Sequence, residues 1–271
     1  MILTRLNIHS LGSSCRTALE QAVHLVHDPT VFGVSTLSTK YPSDHPVSEL
    51  ADHIIAGPEY YAPCDADTGS LLYLGLTVSQ TWRNVLHSDS KNATVSIASS
   101  PDPAVPDPRH SSERGQNNWK HGRPSWRRGM PSKSRITLFG HFTLLNATEH
   151  PGQAEKALRC YLDHHPDASH WAPNSTDSPH IPFWATFHVD RVYWVGGFGD
   201  EHYIGWFSKE EWSAAWKEHR PAVQTWASED AYASTVDGLQ RPFAVKFPFS
   251  PSLEATADPD NDASHPTLAF Q

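Results

Sequence analysis

The sequence predicts an α+β fold, mainly β: a closed or split β-barrel with peripheral helices. Six or seven stretches read as strands. The helices fall between hairpins and towards the ends, without the regular βαβ alternation of a doubly wound sheet. The stretch "RVYWVGGFGDEHYIGW", residues 191–206, places aromatics beside glycines in a strand–turn–strand pattern. A dinucleotide loop would need its glycines to open a helix. Here strand-like "HYIGW" follows, so glycines that permit a turn between strands are expected.

Each element has a local signal. "SSCRTALEQAVHLVHDP" reads as a helix with Ala18, Leu19, Ala22, Val23 and Val26 on one stripe and Pro29 after it. "TVFGVSTLSTK" is a first strand, "YPSDHP" a turn, "VSELADHIIAG" a second strand and "PEYYAPCDADTGS" a loop. "LLYLGLTVSQ" is a third strand, "TWRNVLHSDS" a short helix with Trp82, Val85 and Leu86 at helical spacing, and "NATVSIASS" a fourth strand. "RITLFGHFTLLN" is the fifth strand. "GQAEKALRCYLDHHPDA" is a helix presenting Ala154, Leu158, Tyr161 and Leu162 and stopped by Pro166. "WATFHVDRVYWVGGFG" and "HYIGW" complete the strands. "SKEEWSAAWKEHRP" is a helix opened by a capping box, Ser208 to Glu211, with Trp212, Ala215 and Trp216 on one face.

The 271 residues suit one domain, placed at 1–240, with a polar tail at 241–271 that is disordered or extended. Residues 101–134 form a long Pro-rich, locally basic insert, read as a loop. A net charge of −9 disfavours nucleic acid as a partner. No apolar run approaches the ~20 residues of a membrane span. "MILTRLNIHSLGSSC" lacks the apolar centre of a signal peptide, so the chain as written reads as cytoplasmic. Sequons at Asn92, Asn146 and Asn174 keep a secretory or endolysosomal glycoprotein open. Cys15, Cys64 and Cys160 match no zinc pattern; one disulfide plus a free thiol is compatible with them, and Cys160 lies in a helical pattern as a core or partly buried residue.

In order along residues 14 to 220, "FGVSTLST", "LLYLGLTVSQTWRNVLHSDSKNATVSI", "RITLFGHFTLL" with "YLDHHPDASHW", and "RVYWVGGFGDEHYIGWFSKEEW" resemble the strands and helices of the FMN-binding split-barrel superfamily, the pyridoxamine 5'-phosphate oxidase-like proteins. The resemblance is nearest to the CREG-like branch and to heme-degrading split-barrel proteins. It implies a homodimer that takes a flat small organic molecule at the subunit interface, with FMN as cofactor and heme as a weaker alternative. An FMN-dependent oxidoreductase is the leading expectation. A non-catalytic CREG-like glycoprotein with a blocked flavin pocket is a second, and a cofactor-free isomerase or cyclase that reuses the pocket a third. The insert is longer than a minimal split barrel needs, and the basic residues expected around a flavin phosphate are few.

The resemblance puts the FMN phosphate at Ser79, Gln80, Thr81 and Arg83. A helix N-terminus offers free N–H groups and partial positive charge there. The plainer alternative is that Ser79 or Thr81 caps the helix and Arg83 is solvated. "STLST", Ser35 to Thr39, would lie near the cofactor, with Ser38 and Thr39 as contacts, unless its threonines serve only the strand. Trp119, Trp126, Arg127 and Trp194 are candidates for a substrate pocket. The insert's Arg109, Arg114, Lys120, His121, Arg123 and Arg128 would otherwise form a solvated basic loop. His164, His165 and His170 read as solvated histidines near a helix end rather than as ligands, and no metal site is expected. His141, His188 and His202 have no assigned role. No G-x-S-x-G, H-E-x-x-H or Walker pattern is present.

Overall fold

The computed structural model describes residues 13–100, 133–173, 175, 178–197 and 202–221. All of these lie in the unit Met1–Gln224. The expected boundary at 240, the tail and nearly all of the insert lie outside the described residues.

Helix α1 (Ser13–His27) is followed by strands β1 (Val34–Lys40), β2 (Ile54–Ala62) and β3 (Leu71–Leu76). Helix α2 (Gln80–His87) leads to β4 (Asn92–Ala98) and β5 (Arg135–Leu145). Helix α3 (Pro151–His164) precedes β6 (Pro182–Val195), β7 (Ile204–Ser208) and α4 (Lys209–His219). The strands run β3-β2-β1-β4-β5-β6-β7, and an additional β3–β6 pairing closes six of them into a barrel. Strand β6 serves twice. Its first half pairs with β3 and its second half with β7, while β5 runs along its other edge. The β6–β7 pair is antiparallel, so the glycines after Val195 join two strands, as expected, and α4 starts only at Lys209.

Strand β2 is displaced from the predicted 47–57. Residues Ser48–Leu50 form a short 3-10 turn, and the strand continues through Pro58, Glu59, Tyr60 and Tyr61, which were expected to be loop. Proline is tolerated there because β2 has β1 alone as a neighbour over most of its length; β3 joins only at Tyr61 and Ala62. Burying the Tyr61 ring inward outweighs the turn propensity of the surrounding prolines.

Strand β3 is buried on both faces, which explains its unbroken apolar sequence. Leu71 and Tyr73 belong to the barrel core, whereas Leu72 and Leu74 belong to a second cluster with Tyr161 and Trp184 beneath α3. Trp82 of α2 enters the barrel core against Tyr73, Phe142 and Phe183. The α1 stripe is buried as predicted, and with Trp212 and Trp216 of α4 it extends the same core. The predicted capping box forms: the Ser208 side chain accepts from Glu211 N, and Glu211 accepts from Ser208 N. Both α4 tryptophans also donate to the segment between β2 and β3, at the carbonyls of Gly69 (3.3 Å) and Asp65 (2.8 Å). Gly69 has φ +74°, and a Cβ there would strike the Trp212 ring.

Candidate functional site

The start of α2 brings Ser79, Gln80 and Thr81 together, and a carboxylate bonds its hydroxyls. Register pairs Ser35 of β1 with Glu59 of β2, and the Glu59 side chain reaches the hydroxyls at the helix start. The Thr81 hydroxyl donates to Glu59 Oε1 at 2.8 Å. The Ser79 hydroxyl lies 3.1 Å from the same oxygen and 2.6 Å from Thr81 Oγ1, so its single proton goes to one of them. Ser79 is the N-cap residue but makes no side-chain cap bond; the Thr81 hydroxyl serves Glu59, and the Ser79 hydroxyl serves Glu59 or Thr81. Arg83 turns back, donating from Nε to the Thr77 carbonyl at 2.9 Å. It is exposed, and this bond ties it to the residues just before the helix.

The polar network continues inward. The Gln80 amide donates to Asn84 Oδ1 (2.9 Å), and Asn84 Nδ2 donates to Thr39 Oγ1 (3.4 Å). Thr39, Thr81 and Asn84 are all buried. Ser35 is buried too, donating to the Glu59 carbonyl (3.1 Å) and lying 3.0 Å from the Tyr73 hydroxyl. Burial holds the Tyr73 phenol well above its ordinary pKa of 10.0, so it stays neutral. Thr39 is therefore linked through Asn84 to Gln80. Ser38 points to the other side of β1.

Ser38 lines an open groove of about 370 Å³ on the outer barrel surface, with Asn92, Thr94, Phe139 and Asp190. Beside it lies an aromatic patch. The Trp206 ring, 51% exposed, packs against Phe139 and Tyr193 at 5.4 and 4.8 Å between centroids, and Arg191 lies over it at 5.9 Å. Trp194 points the opposite way. At 1% exposure it belongs to the barrel core, away from the groove. Trp119, Trp126, Arg127 and the other basic residues of the insert lie outside the described residues.

The histidines divide. His164 and His170 are exposed, as expected, but His165 is buried. Its Nε2 donates to the Tyr61 carbonyl at 2.8 Å, and burial lowers its pKa, so it is a neutral core histidine rather than a solvated one. His188 sits between Ser70 and Thr143, and His141 pairs with Asp190 at 2.9 Å. Both lie beside a β-bulge at Phe139–Gly140, where a Cβ on Gly140 would collide with the His188 carbonyl. His202 is exposed and lines a hollow that includes His24 and His27.

Cys64 and Cys160 form a disulfide that ties α3 to the segment after β2; Cys15 is free. Of the sequons, Asn92 and Asn146 are exposed. Asn146 Oδ1 accepts from Thr148 N and Glu149 N, which leaves its Nδ2 free of that turn. Asn174 lies outside the described residues. No described helix is long and apolar enough to cross a membrane.

Sequence reasoning missed Glu59. It lies in a stretch read as loop, and its role depends on the β1–β2 register that sets it opposite Ser35.

Residues 14–214 match the family described as CREG, β-barrel. Among curated proteins none matches by sequence. The chain is similar to a heme binding protein from Mycobacterium smegmatis, with 18% identity over 72% of this chain and a TM-score of 0.46; it spans 60% of that protein's length. It is also similar to a pyridoxinephosphate oxidase family protein from Clostridium acetobutylicum, with 8% identity, coverage of 71% of this chain and 95% of that one, and a TM-score of 0.41. An FAD-binding protein from Mesorhizobium loti shows 17% identity, coverage of 63% and 91%, and a TM-score of 0.35.

Proposed function

The chain belongs to the CREG β-barrel family, within the FMN-binding split-barrel superfamily, and from that premise we propose that it is a non-catalytic binding protein whose flavin-phosphate corner is closed by its own Glu59 carboxylate. The observation that carries this reading is the placement of Glu59 Oε1 against Thr81 and Ser79 at the start of α2. A helix N-terminus favours an anion by about 0.3–1 kcal/mol. Two like charges about 4 Å apart repel by about 4 kcal/mol at the effective dielectric of a protein surface. With Glu59 in place, repulsion of a phosphate outweighs the attraction of the helix end. FMN does not fit the residues present at this corner. A flavin-dependent oxidoreductase would require the carboxylate to leave.

Wild-type protein mixed with FMN is expected to emerge colourless from gel filtration. Glu59→Ala frees both hydroxyls and removes the repulsion, so it is expected to bind FMN at least about tenfold more tightly, read by quenching of flavin fluorescence. Wild-type protein that retains FMN through gel filtration would sink this reading.

The aromatic patch supports a homodimer. Phe139, Tyr193 and Trp206 are apolar area that a second copy of this face would cover. Light scattering is expected to give a dimer mass for wild type and a monomer for Trp206→Glu. A monomeric wild type at the same concentration removes the dimer from the reading. Exposed Asn92 and Asn146 support the glycoprotein form, which glycosidase treatment of native material would reveal as a drop in mass.

A further inference from the structure

We propose that Cys64, Cys160 and His164 bind a thiophilic divalent cation, of the zinc type, once the disulfide is reduced. The two sulfurs and a ring nitrogen of His164 lie within 4.8 Å of one another. Cys160 and His164 are one turn apart on α3, so both project from the same face of the helix. Cys64 arrives from the segment after β2. The His164 ring is also oriented: its Nδ1 donates to the Cys160 carbonyl at 2.9 Å. A carbonyl can only accept, so Nδ1 carries the proton and Nε2 keeps its lone pair. Metal-bound imidazoles are commonly held in this way by a hydrogen bond from the other nitrogen. The cysteines are partly buried and the imidazole is exposed, so an ion has access to the group.

The chemistry balances with a dithiol as reductant. Two electrons pass from the dithiol to the Cys64–Cys160 bond, the S–S bond breaks, two thiols form, and the dithiol closes to its own disulfide. The cation then displaces the two thiol protons, and two thiolates neutralise its charge. Sulfurs bound to tetrahedral zinc at about 2.3 Å stand roughly 3.8 Å apart, a separation that side-chain rotation of the two cysteines supplies. The fourth position is left to water. Cys64 and Cys160 would thus crosslink the chain in an oxidising compartment and, with His164, hold a metal in a reducing one.

Cobalt(II) titration tests this directly, because thiolate coordination gives intense absorption bands. The protein is reduced with a phosphine, the phosphine is removed without air, and cobalt is added. Reduced wild type is expected to show thiolate–cobalt bands and unreduced wild type none. His164→Gln, altered at an exposed position, is expected to weaken binding at least about tenfold and change the spectrum. Zinc is expected to raise the melting temperature of reduced wild type and leave oxidised wild type unmoved. Reduced wild type that develops no thiolate–cobalt band overturns the proposal, as does a reduced chain that neither folds nor refolds when cobalt is added. An unchanged affinity and spectrum in His164→Gln overturns it as well.

Discussion

Replacing both Cys64 and Cys160 with Ser is expected to cost about 4 kcal/mol of unfolding free energy. The disulfide closes a loop of 96 residues. In the chain-entropy account, a crosslink over roughly 100 residues restricts the unfolded ensemble by about 4.7 kcal/mol. The bond adds to the contacts that hold α3: Tyr161, Leu158 and Leu162 pack over Leu72, Leu74 and Trp184, and the Tyr161 hydroxyl donates to the Tyr60 carbonyl at 3.2 Å. Urea unfolding of the oxidised wild type and of the double variant, followed by tryptophan fluorescence, measures the difference. A loss below about 1 kcal/mol would mean that the unfolded chain is already compact without the bond, so that closing the loop removes little freedom.

Acidification is expected to destabilise the protein by up to about 3 kcal/mol through His27. Its pKa is lowered from the ordinary 6.5 to about 4, chiefly by burial, with nearby His164, His24 and Arg220 adding repulsion. The ring packs on Trp216 at 4.7 Å, and its Nε2 has no hydrogen-bond partner among the described residues. Between pH 6.5 and about 4 the unfolded chain takes up a proton that the folded chain refuses. This stability is therefore fully present above pH 6.5, falls as the pH drops through that window, and levels off below about 4. His165 and His188, also lowered by burial, act in the same direction. His27→Phe keeps an aromatic ring against Trp216 and removes the titration, so its stability should fall less steeply over the same range. Equal slopes for variant and wild type would exclude His27 as a main source of acid lability.

How much could be read in advance depended on the range over which each signal acts. The Ser208–Glu211 capping box lies within four residues, and the α1 stripe repeats on one helix; both were visible in the sequence and both are present. Strand β2 lies later than its local signals indicate: prolines and tyrosines read locally as loop, whereas pairing with β1 and burial of Tyr61 decide the outcome. Ser79, Gln80 and Thr81 stand together at the start of α2, as the local sequence suggests, but the acid that bonds the two hydroxyls has no local signal. Glu59 is distant in sequence from Ser79 and carries no motif, and only strand register sets it there. The partner of Cys160 was open for the same reason. Trp194 reads equally as a ligand-facing or a core aromatic, because strand alternation shows which residues share a face but not which face turns inward; at 1% exposure it is core.

The closing of the barrel on itself has a consequence for the birth of the protein. Strand β3 cannot gain its second neighbour until β6 exists, since Leu76 pairs with Pro182 and Leu71 with Phe187. While the chain grows from its N-terminus on the ribosome, β3 waits with one open edge, apolar on both faces, through the synthesis of β4, β5 and α3. Pairings so distant in sequence make folding slow, and an unpaired apolar edge invites association with other chains. Until β6 docks, that edge stays open to pairing with a strand of another chain.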